Sequence, residues 1–349
     1  MKSLQQNVGN KQFSTDLLEQ KQELQEMARA YRKSRILLTC VELGIFEVLA
    51  QNGRASAEAI AELTHTNLRG IELLLNMAVA LGLLDKSDDL FSNTPLAQAY
   101  LVSGGAGDIS RSLRLENAFF NRWGHLTEAV RTGKRPEENR RDEQPEDWVR
   151  QFIYALYNNA KPVAPVIAEA LVLPEDKPLN VIDVGGGHGG YSLALAERYP
   201  LLSAVVFELP KVIPVANEII ENAGLADRVK TREGDFQQEG LGSGYDVALV
   251  FGVLNGEPPE GRPALIKKVF DALNPGGRIV LRDSVLDPDR AGPPDAAMFA
   301  LQMLLATESG GLDTRDDWNM WLEQAGFEDV SILQLPVTVG STLTIAIKP

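Results

Sequence analysis

The stretch VIDVGGGHGG (181–190) decides the fold. Val181 to Val184 form the apolar, acid-bearing end of a strand, and five glycines in the next six positions let the chain turn tightly. They also leave no side chains between the backbone and a close ligand. Helix-forming YSLALAERYP follows, and after residue 178 strand and helix patterns alternate. LNVIDVGG, AVVFELP, VKTREGDF, YDVALVFGV and RIVLRDSVL read as strands, with YSLALAERYP, VIPVANEIIENAG and RPALIKKVFDALNPGG as helices between them. Such alternation predicts a Rossmann-like, doubly wound parallel α/β sheet. A helical stretch runs through WNMWLEQAG. The last strands, VSILQLPV and STLTIAIKP, are joined by a few residues around Gly340 and are expected to pair antiparallel.

Upstream, residues 16–50 carry apolar positions at helical spacing, among them Leu17, Leu24, Met27, Leu37, Val41 and Phe46, with Gly44 separating two helices. Ser56 is expected to N-cap the next helix, Thr66 or Asn67 the one after, and Gly82 to close it. DKSDDLFSNTPLAQAYL reads as a short hairpin and a further helix, which completes the winged-helix order. Arg54, Arg69 and Lys86 face Glu58, Glu62, Glu72, Asp85, Asp88 and Asp89, an acidic balance that a reader of phosphates lacks. Residues 106–175 read as helical and aromatic, interrupted by GKRPEENRRDEQPED, an expected exposed loop. The expected organisation is an N-terminal winged-helix dimerisation domain (1–105), a helical bridge (106–175) and a ligand-binding domain (176–349).

The chain has 349 residues, 44% of them hydrophobic, and a formal charge of −14, which argues against a general polyanion binder. Cys40 is the only cysteine and His65, His125 and His188 the only histidines, so neither an internal disulfide nor a multi-cysteine metal site is expected. No run of 18 uncharged apolar residues occurs and MKSLQQNVGNKQFSTD lacks a signal-like apolar core, so no membrane partner is expected and a cytoplasmic location is.

Gly185, Gly187 and Gly190 satisfy G-x-G-x-x-G, and Glu208 stands 18 residues further on at the next strand end, where an acid binds a ribose diol. NAD and S-adenosylmethionine share that adenosine. Charge separates them: an unpaired Asp183 beside the turn opposes a pyrophosphate and suits ammonium and sulfonium groups. Asp235, in EGDF, is placed to accept from an adenine amine or a ribose, with Phe236 offering apolar contact to the ring. Helix capping and plain surface acidity are the bland readings of these carboxylates.

Together the stretches DVGGGHGG (183–190), FELP (207–210), EGDF (233–236), ALNPGGRIVLRD (272–283) and LEQAGF (322–327), with WGHLTEAVRTGKRP (123–136), resemble one family. It is the class I S-adenosylmethionine-dependent O-methyltransferases of the caffeic-acid and acetylserotonin type, with bacterial secondary-metabolism members. The resemblance covers nearly the whole chain and implies S-adenosylmethionine as cofactor, a homodimer and a small acceptor, aromatic or polyketide-like. It implies cofactor contacts at Asp183, Gly185, Gly187, Glu208, Leu209, Asp235, Phe236 and Phe251, the last standing where plant members place an adenine-contacting lysine.

The family's base histidine falls in VFGVLNGEPPE, where Asn255 stands, and its flanking carboxylates align with Asp283 and Asp313. Asparagine cannot take a proton near neutrality. Three explanations compete. Asp283, Asp313 or Glu257 takes over as base; the nucleophile is acidic enough to need little help; or the protein binds the cofactor for a reaction other than methylation. A fourth, bland reading makes Asn255 a turn residue before Gly256. Carbon or nitrogen methylation, a cofactor-sensing regulator and a dehydrogenase are the rival functions. Phe119, Phe120, Trp123, Phe152, Tyr154, Met298 and Met303 are candidates to line the acceptor pocket, against the ordinary reading as core. His188 reads as tolerated filler within the turn, and His125 as a helical histidine that would accept a proton only if its helix faced the pocket.

Overall fold

The computed structural model describes residues 15–105, 107–136, 146–336 and 342–349. The chain forms two compact units, one through Asn117 and one from Ala118. Residues 137–145 of the expected loop, and the turn around Gly340, lie outside the described residues. Among the described residues no helix is long and apolar enough to cross a membrane.

In the first unit α1 (Thr15–Arg29), α2 (Tyr31–Glu42) and α3 (Ile45–Asn52) follow one another, and Gly44, at φ 69°, makes the break before α3. Strand β1 (Ala55–Ser56) leads into α4 (Ala57–Leu63), whose cap Ser56 accepts from the Ala59 amide, and α5 (Leu68–Ala80) is capped by Asn67. Strands β2 (Leu84–Ser87) and β3 (Leu90–Asn93) form the expected hairpin, turning through Asp88 and Asp89 at φ 50° and 61°. Helix α6 (Pro95–Tyr100) follows, and Ile45, Phe46, Leu75 and Phe91 fill the core. Cys40 is buried there and desolvation pushes its thiol up to about 12, so it is inert. Helix α7 (Ser110–Trp123) runs from this unit into the second.

The second unit continues with α8 (Leu126–Thr132), α9 (Glu146–Ala160) and α10 (Ala164–Ala170), then the alternating segments β4 (Leu179–Val184), α11 (Gly190–Arg198), β5 (Leu202–Glu208), α12 (Ile213–Asn222), β6 (Val229–Glu233), β7 (Tyr245–Phe251), α13 (Gly261–Ala272) and β8 (Leu273–Arg282). Helices α14 (Pro294–Ala306) and α15 (Arg315–Ala325) precede β9 (Glu328–Gln334) and β10 (Thr342–Ile347). The sheet order is β6-β5-β4-β7-β8-β10-β9; β10 is antiparallel to both neighbours and the other pairings are parallel.

Strand parity sorts the core. Val181, Val247, Leu249 and Val280 pack with Ile167, Leu193 and Ile219 on one face, while Ile182, Val184, Ala248 and Val250 pack with Leu265, Trp318 and Leu322 on the other. Order reverses at β4, between β5 and β7, which opens a crevice at the carboxyl ends of these strands. Helix α9 is fastened to α12 by Arg150, whose two guanidinium nitrogens each donate to Glu218 at 2.6 Å, and by the Tyr154 hydroxyl, which donates to the same carboxylate at 2.7 Å.

Candidate active site

The glycine turn starts where β4 ends. The Gly185 amide donates to Phe207 O at 2.8 Å, which fastens the turn to β5, and Gly185 sits at φ 62°, a conformation that excludes most side chains. Asp183 has the parity of Val181 and so turns toward α11, where the Ser192 hydroxyl donates to its Oδ2 at 2.8 Å. It is only 1% exposed, and a Cβ on Gly186 would stand 2.5 Å from its Cγ. The carboxylate therefore lies beneath the turn, not on its open side as a direct ligand contact would need. Its Oδ1 is buried without a hydrogen-bond partner. Desolvation, with a smaller contribution from the Glu208 charge, pushes its pKa up to about 7.

Glu208 closes over the same turn. Its Oε2 accepts from the Gly187 amide at 3.0 Å and its Oε1 from the Leu209 amide at 2.7 Å, while Leu209 itself is 48% exposed. The Gly234 amide donates to Glu208 O at 3.0 Å, which sets Asp235 beside this strand end. Asp235 caps its own turn: Oδ1 accepts from the Gln237 amide and Oδ2 from Gln238 Nε2, both at 2.9 Å. Phe236 is half-buried beside Gly185 and Val253, and Phe251 meets Tyr191 edge-on with centroids 5.0 Å apart. Arg282 donates to the Tyr191 hydroxyl at 3.1 Å.

This arrangement fits an adenosyl ligand that carries positive charge. The turn offers backbone free of side chains, Glu208 presents a carboxylate at a strand end, and the buried Asp183, one oxygen of which lacks a hydrogen-bond partner, gives a negative potential under the turn when it ionises. A pyrophosphate over the same backbone meets that potential with the wrong sign. Among the described residues no group of three or more metal-ligating side chains converges.

His188 is not filler. Its ring is buried, its Nδ1 accepts from the Gly190 amide at 2.9 Å, and the rings of Tyr157 and Tyr191 stand 5.7 and 5.6 Å away. Burial lowers its pKa to about 4. Ser192, Tyr157, Tyr191 and Arg282 carry no motif that marks them as site residues. For Ser192 a signal existed, since strand parity turns Asp183 toward the first turn of α11.

At the next strand ends, Asn255 sits on a single 3₁₀ turn (Leu254–Gly256) after β7, and Asp283 directly follows β8. Asn255 Nδ2 donates to Asp283 Oδ1 at 2.8 Å, its amide donates to Oδ2 at 3.3 Å, and the Ser284 amide donates to Oδ1 at 2.8 Å. Burial outweighs these bonds and pushes Asp283 up to about 6, with the Asp313 charge adding to the rise. Asp313 is buried in an ion pair with the equally buried Arg262, whose Nε donates to Glu257 O at 3.0 Å. Both Glu257 oxygens accept from Gln237 Nε2, at 3.0 and 3.1 Å. The Gly311 amide donates to Asn255 O at 2.9 Å, so the segment bearing Asp313 is pinned to the Asn255 turn. Asp283 is thus the carboxylate of the three that has neither a cationic partner nor a side-chain amide across both oxygens.

The apolar candidates divide. Trp123 Nε1 donates to Gln302 Oε1 at 2.6 Å, which joins α7 to α14, and Phe152 stacks on Trp148 with centroids 5.0 Å apart. Phe120 is half-buried on the same helix as Trp123. Met303 is 8% exposed and Met298 57%; five residues apart on α14, they point roughly 140° away from each other, so no common face holds both. His125, at the start of α8, has its Nδ1 3.9 Å from Glu128 Oε2.

A family model described as an O-methyltransferase domain matches residues 142–328, and one described as an O-methyltransferase dimerisation domain matches residues 25–103. The chain is 31% identical over 312 residues to a 3-hydroxy-5-methyl-1-naphthoate 3-O-methyltransferase of Streptomyces sahachiroi, covering 88% of this chain and 89% of that one. It is 29% identical over 341 residues to the N,N-dimethyltransferase OxyT of Streptomyces rimosus, covering 95% and 97%. The structure of human N-acetylserotonin methyltransferase in complex with SAM (S-adenosylmethionine) aligns with a TM-score of 0.80 at 25% identity, covering 100% of this chain and 99% of that one.

Proposed function

The chain belongs to the S-adenosylmethionine-dependent O-methyltransferase family, and from that premise we propose that it works as a homodimer methylating a hydroxyl of a small aromatic or polyketide-like acceptor. When bound, the cofactor supplies a methyl group made electrophilic by the adjacent sulfonium. Glu208 holds the ribose hydroxyls, the Gly185–Gly187 backbone receives the ligand, and Asp183 lies below the turn as a carboxylate whose ionised form favours a cationic ligand. Asp235 and Phe236 serve the adenine side with Leu209, and Phe251 with Tyr191 walls the site. Phe120, Trp123, Phe152 and Met303 give the acceptor an apolar surface; Met298 lies on another face of α14.

Asp283 takes the acceptor's proton. Asn255 fixes its orientation, and Asp313, neutralised by Arg262, shapes the site without taking part in proton transfer. The observation that carries the assignment is the pairing, at the reversal of the sheet, of a buried carboxylate with one unpartnered oxygen under the glycine turn with Glu208 closing over it. The homodimer rests on the match to the dimerisation domain.

Two measurements test the reading. Calorimetry compares S-adenosylhomocysteine with NAD on the intact chain and on Glu208→Ala: we expect binding of the first, none of the second, and at least ~ten-fold weaker binding by the variant, since a charge-assisted hydrogen bond is lost. Unchanged affinity of Glu208→Ala refutes the ribose assignment. Incubation of methyl-labelled cofactor with hydroxynaphthoates and with aromatic amines then separates oxygen from nitrogen acceptors. The likeness to an N,N-dimethyltransferase gives the second reading its footing, because a neutral amine attacks before it loses its proton and needs no base at 255.

A further inference from the structure

The turn 185–190 poses a physical problem. Glycine loses more conformational freedom on ordering than any other residue, and five of these six positions are glycine. A ligand that reads backbone geometry needs that freedom already removed. Four hydrogen bonds do so. The Gly185 amide reaches Phe207 O, the Gly187 amide reaches Glu208 Oε2, the Gly189 amide reaches Gly186 O at 2.9 Å, and the Gly190 amide reaches His188 Nδ1. His188 supplies the one side chain within the run, and that side chain is spent on the run itself.

Resting on the cofactor reading above, we propose that His188 is a positioning residue for cofactor binding: its neutral imidazole accepts the Gly190 amide proton and locks the glycine turn in its receiving shape. The geometry makes the neutrality obligatory. An Nδ1 that accepts leaves the proton on Nε2, and a doubly protonated ring has no acceptor to offer. The Gly190 amide is also one of the donors without an intrahelical partner at the positive end of α11, where a cation is disfavoured.

The packing leaves the ring little room to move. A Cβ on Gly190 would stand 2.9 Å from His188 Nδ1 and 3.0 Å from the Tyr157 ring, so both side chains crowd Gly190. Tyr157 comes from α9, with Lys161 Nζ 4.7 Å from its ring centroid and the Glu197 charge acting on it, and Tyr191 from α11, its hydroxyl accepting from Arg282; Asp183, at the end of β4, and Glu208, at the end of β5, are the carboxylates against the turn itself. Burial depresses the imidazole pKa to about 4, consistent with a ring kept neutral across the physiological range.

The test uses S-adenosylhomocysteine, which lacks the sulfonium charge, and the full chain. Its affinity is measured by calorimetry for the parent, His188→Ala and His188→Asn. An asparagine at this position offers an oxygen to the amide two residues on, as in an Asx turn. The expected result is roughly ten-fold weaker binding by His188→Ala, from the loss of one buried hydrogen bond, and recovery to within about three-fold by His188→Asn. Parent-like affinity of His188→Ala overturns the proposal, as does an equal weakening of both variants, which marks a packing role only. Nitrogen-15 spectra of the unsubstituted chain give a second readout that needs neither variant to fold. A proton on Nε2 and a bare Nδ1 at neutral pH support the proposal, and a protonated Nδ1 overturns it. Failure of the parent to bind S-adenosylhomocysteine counts against the cofactor reading and leaves these spectra to decide the role of His188.

Discussion

Asn255 Nδ2 donates to Asp283 Oδ1 across 2.8 Å, joining the turn after β7 to the residue after β8. The pair bears on the asparagine that stands where the family resemblance implies a base histidine. Burial lifts Asp283 to about 6 in spite of its hydrogen bonds, close to the ~6.5 of a free imidazole. On the proposed assignment the proton acceptor is not residue 255 but the carboxylate that residue 255 holds.

If Asp283 is the acceptor of the proton, the methylation rate rises with pH through about 6, because only the ionised carboxylate takes a proton. Asp283→Asn should lose ~10²–10⁴-fold in kcat, with S-adenosylhomocysteine affinity unchanged. Asn255→Ala removes a donor that favours the ionised form, so the rising limb should move to higher pH. Rate profiles of the three proteins on one hydroxynaphthoate check this; an Asp283→Asn enzyme with an undiminished rate assigns the reaction to an acceptor that ionises unaided.

With Asp183 beneath the turn, cofactor binding is expected to be linked to a proton. Its pKa in the folded chain, about 7, lies far above the ~3.9 of an unfolded aspartate. Its contribution to stability is accordingly full below about pH 4 and is lost as pH rises through about 7, where the carboxylate ionises in a buried place. A cationic ligand above the turn favours the ionised form. S-adenosylmethionine should thus release a fraction of a proton on binding near pH 7, and S-adenosylhomocysteine, with a neutral sulfur, less. Calorimetry in buffers of different ionisation enthalpy measures both numbers, and equal release by the two ligands removes Asp183 from the electrostatics of the site.

Much of this was legible from local pattern. The period-two strands, the glycine turn and the acids at the ends of β4 and β5 follow from short-range rules, and so do the Ser56 and Asn67 caps. What stayed hidden depends on partners distant in the chain. The imidazole of His188 packs beside Tyr157, 31 residues earlier. Asp313 is paired with Arg262, 51 residues before it. Asp183 illustrates a third case: its charge and strand position were readable, but whether the carboxylate lay over or under the turn depended on the shape of the turn and on Ser192.

The Arg262–Asp313 pair sits with both side chains buried, so removing one partner leaves a desolvated charge behind. Arg262→Ala should cost ~3–5 kcal/mol of stability in urea unfolding. Its charge also fixes the 310–313 segment that reaches Asn255, so the variant should lose activity at temperatures where it remains folded. A cost below ~1 kcal/mol, the range of exposed pairs, contradicts the buried geometry.

Two glycines separate crowding from backbone freedom. Gly186 lies outside the left-handed region, so alanine fits its backbone, yet the added Cβ would stand 2.5 Å from Asp183 Cγ and 2.8 Å from its Oδ2. The carboxylate cannot swing away, being enclosed and held by Ser192. Gly186→Ala should therefore destabilise by ~1–3 kcal/mol, as overpacking does, and weaken S-adenosylhomocysteine because the turn must rise to make room. Gly240 is also outside the left-handed region and has nothing within 4 Å of an added Cβ. There alanine only restricts the unfolded chain, and Gly240→Ala should be neutral or gain up to ~1 kcal/mol with affinity unchanged. Thermal unfolding and calorimetry on the two variants form a matched pair, and a Gly186→Ala protein as stable and as tightly binding as Gly240→Ala would mean that Asp183 does not lie directly beneath the turn.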